Sequence, residues 1–148
     1  MSNYFLAHER DQIFRRLEKL TPDQQTLLVT GHATLRHLLA DMQVILGPAD
    51  DDRGRGLLTF WPARWLVLNF LPWPESLPNE SQLAGFAPDT GRNYQEDFAA
   101  FVECLRQFDA RCKAGSLGAH PRFGRMNRDD WGKYMYLHID WHLSKMNL

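Results

Sequence analysis

Cysteine is scarce in this chain, with two in 148 residues, and both fall where a helix is expected. Cys104 and Cys112 would stand about 12 Å apart along that helix, too far to bridge each other. A scaffold stapled by an internal disulfide is therefore excluded, and both read as packing thiols held in the reduced state. Long hydrophobic runs are missing as well. The longest, Trp65 to Leu71, contains Asn69 and falls far short of the roughly 18–20 residues of a membrane helix. Neither sign of charge dominates: 17 Lys and Arg face 18 Asp and Glu, for a formal charge of −1. No basic stripe is available to displace phosphate counterions, so a nucleic-acid partner is not expected. The N-terminus lacks a charged start followed by an apolar core and a small-residue cleavage site, which makes the cytoplasm the expected location. Missing, too, are the His-Glu-x-x-His helix pattern of metalloproteases and the paired Glu-x-x-His motifs of di-iron bundles. Peptidase and oxygen-activating chemistry are disfavoured accordingly.

What is present is helical periodicity. At 148 residues the chain is expected to form one domain, residues 1–148, with a core of its own. Ile13, Phe14, Leu17 and Leu20 recur at helical spacing over Ala7 to Leu20, before Thr21-Pro22 interrupts. A second helix is predicted from Thr30 to Leu46, stopped by Gly47-Pro48, with Leu35, Leu38, Leu39, Met42, Ile45 and Leu46 as its main stripe. Its second face, Ala33, His37, Ala40 and Val44, sets one imidazole among small side chains, as on a helix packed from two sides. Asp50 to Gly56 reads as a charged solvated loop. In Leu57 to Phe70, Pro62 fits the first turn of a helix while Leu66, Val67, Leu68 and Phe70 would also suit a buried strand; a short helix is preferred, because no second strand-like run exists to pair with it. Pro72 to Gly91 is a long Pro-rich connection of the kind that is functional or wraps a surface. A further helix runs from Tyr94 to Lys113, with Phe98, Phe101, Val102, Leu105 and Phe108 on one face and Gly115 past its end.

The last helix carries the chemistry. Asn127 is placed to cap it, Asp130 to reach back as the N3 partner, and Met126 and Trp131 to staple its start. Trp131, Tyr134, Met135, His138, Trp141 and His142 fall on one stripe, with Lys133, Asp140 and Ser144 on other faces. Both histidines are thus expected on the buried side, Asp140 in solvent. A buried imidazole left unpaired costs roughly 1–3 kcal/mol, so something must meet those nitrogens. Two readings stand: core histidines satisfied separately by hydrogen bonds, or an i,i+4 pair sharing one metal ion. Six histidines in this length produce about a quarter of such a pair by chance, which spacing alone does not overcome. His37 is the candidate third ligand; His32, near its helix start, suits a frayed or capping role better. His120, in a Pro-bounded turn, is either structural or a partner at the mouth of the site.

The pieces resemble the DinB/YfiT-like superfamily of helical-bundle metalloproteins, through Leu35-Arg36-His37-Leu38 and the His-x-x-x-His pair of the last helix. Within it, His120-Pro121-Arg122-Phe123-Gly124, then Trp131-Gly132, then Tyr136-Leu137-His138-Ile139-Asp140-Trp141-His142-Leu143 is similar to an uncharacterised branch. That branch runs His-Pro-x-Phe-Gly, Trp, and His-x-Asp-His-His-Leu-Arg-Gln-Phe. Trp141 departs from the first His of the adjacent pair, and Ser144-Lys145-Met146 from Arg-Gln-Phe. The resemblance implies an all-α four-helix bundle, here with an additional short helix and the long Pro-rich connection. It implies His37, His138 and His142 around a divalent ion, zinc or nickel; His120, Trp131, Tyr134 and Trp141 are the candidates to line the pocket or back those ligands. Three neutral imidazoles would leave a position for water or for a substrate thiol. Several superfamily members use low-molecular-weight thiols as co-substrates, so a metal-dependent hydrolase or thiol-linked transferase acting on a small molecule is one expectation. A non-catalytic bundle binding a small ligand or partner around a structural or vestigial metal is the other. A homodimer is compatible with either, and metal affinity should fall as pH drops through the imidazole range near 6–7.

Overall fold

The computed structural model describes residues 2–24, 30–48, 56–73 and 91–148, and among these the chain is all-helical, without a strand. The charged connection expected at 50–56 and the Pro-rich one at 72–91 lie outside the described residues, apart from Gly56, Pro72, Trp73 and Gly91.

Each helix starts and stops where its end residues dictate. Helix α1 (Ala7–Lys19) fully buries Ile13 and Leu17, one turn apart; such a side chain contributes about 1.5–3 kcal/mol. Helix α2 (Gly31–Ile45) begins at Thr30, whose hydroxyl accepts the N–H of Ala33 at 3.0 Å. A Cβ on Gly31 would lie 1.9 Å from the Thr21 carbonyl oxygen, so the chain reaching α2 passes too close for any side chain there. A single 3-10 turn, Leu57–Thr59, leads into α3 (Trp61–Asn69), which has Pro62 in its first turn, where its missing N–H costs nothing. Helix α4 (Tyr94–Ala114) opens with a reciprocal box of Asn93 and Glu96 and ends at Gly115, in the left-handed conformation at φ 66°. Helix α5 (Arg128–Lys145) starts at Asn127, whose side chain accepts from the N–H of Asp130 at 2.8 Å. Asp130 does not return that bond as expected. Its carboxylate lies 3.3 Å from Nε of Arg64 on α3, because the ion pair draws it away from the cap.

Helix α2 lies along α4, α1 and α3 lie along α5, and α4 touches α5. The core between them joins Leu35, Leu38 and Met42 of α2 to Phe101, Leu105 and Phe108 of α4 and to Met135, Ile139 and Leu143 of α5. On the opposite side of α2, Ala40 and Val44 are buried, but Ala33 is exposed and His37 half-exposed, so this second face is packed only toward the C-terminal end of the helix. The buried face of α5 is broader than the expected stripe. It takes in Gly132, Ile139 and Leu143, and leaves Trp141 and His142 half-buried at its margin, with His138 inside. Asp140, expected in solvent, instead receives Arg16 of α1, whose guanidinium also donates to Ser144 Oγ at 3.0 Å and to the Leu148 carbonyl at 2.9 Å. That clasp fixes the rotation of α5 about its axis and hence which way its histidines point.

Candidate metal centre

Residues four apart on a helix sit one turn above each other, and two such pairs face one another here. Helix α2 presents His37 and Asp41, and α5 presents His138 and His142; one donor atom from each lies within 4.8 Å of the others. Asp41 stands at the centre. Its Oδ2 is 3.2 Å from Nε2 of His37 and 3.2 Å from Nε2 of His138. The ring of His142 is 4.8 Å from that of His37 and 5.0 Å from that of His138, centroid to centroid. Asp41 and His138 form the buried floor, while His37 and His142 are half-exposed at the rim.

These donors suit a divalent ion. Metal to nitrogen or oxygen distances of about 2.0–2.2 Å in a tetrahedron separate adjacent donors by about 3.4 Å, close to the two spacings made by Asp41. The four residues could therefore hold a metal with small side-chain adjustments. The surroundings orient the floor ligand: Nδ1 of His138 lies 3.1 Å from the buried hydroxyl of Tyr134, which leaves Nε2, the atom facing Asp41, to ligate. Trp73 stacks on the His138 ring at 5.7 Å and 15° between planes, and covers it from above.

Of the residues singled out from the sequence, His37, His138 and His142 come together. Tyr134 and Trp141 flank them, Trp141 edge-on to His142 with its rings 4.7 Å away. Trp131 is two turns back along α5, roughly 10 Å from His138 by helix rise, and packs against Phe108 in the core. His120 is not among the converging donors. Its Nδ1 accepts the N–H groups of Arg122 and Phe123 at 3.0 and 3.1 Å, and its backbone exchanges two hydrogen bonds with Gly124. Gly124 takes φ 69° to close this turn, which Arg64 holds by donating to the carbonyls of Phe123 and Arg125. The His-Pro-x-Phe-Gly motif is thus a self-bonded turn. It meets the cluster's surroundings through two rings: His120 lies 4.5 Å from Tyr134, and Phe123 lies 5.9 Å from Tyr134 and 6.3 Å from Trp73.

Two residues of the cluster's surroundings were not anticipated. Asp41 carried a visible signal, since His37 and Asp41 repeat the i,i+4 spacing of His138 and His142. Trp73 had none beyond its place between two prolines. His32, expected to fray or cap, lies 2.7 Å from Oδ2 of Asp97, a fully buried carboxylate that Arg36 and Arg92 also approach, at 3.2 and 3.4 Å. An unanswered buried charge is far costlier than a fixed imidazole, which explains its order. Burial pushes the Cys104 thiol up and the Cys112 thiol up to about 12, so neither is an activated nucleophile.

Residues 34–147 match the profile of a family described as protein of unknown function (DUF1569). No curated protein and no solved structure matches the chain.

Proposed function

Since the chain belongs to DUF1569, a family without an assigned function, we propose from its site that it is a divalent-metal protein, with the ion held by His37, Asp41, His138 and His142. The observation that carries this is the convergence of four donors from two helices within 4.8 Å. Three imidazoles and one carboxylate favour zinc or nickel over the hard, all-oxygen sites of magnesium and calcium. We read the whole chain as one DinB-like four-helix bundle, in the cytoplasm, acting on a small molecule as a hydrolase or thiol-linked transferase. No described helix is long and apolar enough to cross a membrane.

When bound, the ion would supply Lewis acidity to a water, thiol or carbonyl oxygen beside it. The remaining work falls to the chain. His37 and His142, half-exposed, leave the cluster approachable from their side, whereas Trp73 and Tyr134 shield His138 from water on the other. Tyr134 holds the His138 ring in the orientation that directs Nε2 inward. Asp41, between His37 and His138, is also placed to act as a general base toward a group bound beside the ion.

Asp41 also supports a second reading. If it ligates, a tetrahedral zinc has every position filled and the site is structural; with five or six positions, room for substrate remains. The test is elemental analysis of protein purified without a His tag, together with zinc titration of His138→Ala and Asp41→Ala. About one divalent ion per chain is expected, with affinity lowered at least about 100-fold by His138→Ala. An equal loss in Asp41→Ala marks a ligand, and a loss of about tenfold or less marks a base or orienting group. A metal-free parent, and a His138→Ala protein that takes up zinc as tightly as the parent, would remove the proposal.

A further inference from the structure

The outward face of α3 is the largest apolar surface left uncovered among the described residues. Leu57, Phe60, Trp61, Trp65, Leu66 and Phe70 are each between 45% and 77% exposed. Helix geometry explains why Trp65 and Leu66 share a side. At about 100° per residue, Val67 and Leu68 turn inward with Arg64 between them, which leaves Trp65 and Leu66 turned away, while Trp61, on the same side as Leu68, is exposed at the first residue of the helix. Val67 and Leu68 are indeed the buried residues of this helix. Trp65 packs edge-on against Phe70 at 5.0 Å, and the 3-10 turn carrying Leu57 lies against α3, so the patch is continuous.

We propose that this face is the interface of a homodimer, covered by the same face of a second copy of the chain. Area is the first argument. Six large side chains exposed to this degree present roughly 800 Å², which exceeds the few hundred Å² common on monomers and equals one partner's share of a standard stable interface. Composition is the second. Two tryptophans and two phenylalanines make a patch rich in the residues that anchor interfaces, and a patch without charge can meet its own twofold copy with no like-charge clash. A lipid surface fits less well. Interfacial helices carry a face rich in Lys and Arg, whereas the only cation between residues 56 and 73 is Arg64. Arg64 is engaged by Asp130 and two backbone carbonyls.

Sedimentation velocity of the untagged full chain across micromolar concentrations tests this. The expected species is twice the 17.2 kDa chain mass. Trp65→Asp should weaken it about 30-fold or more, as loss of an interface anchor does, with the far-ultraviolet circular dichroism unchanged. Hydrogen exchange provides a check that needs no variant: on dilution below the dissociation constant, peptides covering residues 57–71 should lose protection. A monomer at every concentration would overturn the proposal. So would a monomer that floats with phosphatidylcholine vesicles, or a dimer whose protection changes elsewhere.

Discussion

A carboxylate with no solvent exposure is tolerated only where charges or donors answer it, and the described residues include two, Asp41 and Asp97. Asp97 is answered by His32, Arg36 and Arg92, and ties α2 to α4. Asp41 is met by the imidazoles of His37 and His138, the arrangement a metal would complete. On the helical wheel of α2, Asp41 falls at the border between the His37 face and the leucine stripe, where a carboxylate is ordinarily solvated. That is why the spacing was visible and its meaning was not. Other buried groups make the protein sensitive to alkali. Burial raises Cys112 to about 12 from 9.0, and Tyr4 to about 12 from 10.0. Both groups stay protonated in the folded chain after their unfolded counterparts have ionised, so the unfolded state binds fewer protons and stability falls as pH rises from about 9 to 12. At pH 8 the same shift should make alkylation of Cys112 on the order of a thousandfold slower than that of a free thiol. Iodoacetamide labelling followed by peptide mass spectrometry, with and without urea, measures it. Equal labelling of native and unfolded protein would show that Cys112 is not buried.

Among the elements, the start of α5 shows how a local rule is overridden by its neighbours. Glycine inside a helix costs about 1 kcal/mol against alanine, so Gly132→Ala would stabilise an isolated helix. Here the N-terminal segment crosses at that point. Tyr4 donates to the Gly132 carbonyl at 2.9 Å, and a Cβ on Gly132 would come within 1.9 Å of Asn3 Oδ1 and 2.7 Å of the Phe5 ring. Asn3 has little freedom to move, since its amide donates to Asp129 at 2.9 Å and its Oδ1 accepts from Phe5 N–H at 3.0 Å. Overpacking wins over propensity, and Gly132→Ala is expected to lose about 1–3 kcal/mol. Urea unfolding checks the sign, and the loss should shrink in an Asn3→Ala background; a stabilised variant would mean that the segment does not cross there. The caps at Asn127 and Gly115 and the period of α1, α2, α4 and α5 were legible from residues alone, whereas α3 was inferred only from Pro62 and the lack of a strand to pair with. The Asp130–Arg64 pair was not, because Arg64 belongs to a helix that the sequence does not orient.

For the molecule as a whole, a metal held between α2 and α5 binds the folded chain alone and should raise its stability by mass action. Zinc at about 100 times its dissociation constant would add about 2.7 kcal/mol, which for a chain of this size is roughly 5–10 °C in Tm. Calorimetric scans in zinc and in chelator should show that difference in the parent and none in a His37→Ala, His142→Ala double variant. A shift of the same size in both would place the metal elsewhere. Sequence by itself determined the helical class, the approximate ends of the described helices and the three histidines worth following, because hydrophobic period and end capping act over one or two turns. Tertiary structure alone decided that Asp41 joins those histidines, that Tyr134 and Trp73 attend His138, and that His120 closes a turn. Each of these depends on how α2, α3 and α5 lie against one another. That arrangement is set by clasps between distant residues, such as Arg16 with Asp140 and Arg64 with Asp130, and no spacing within a single segment encodes it.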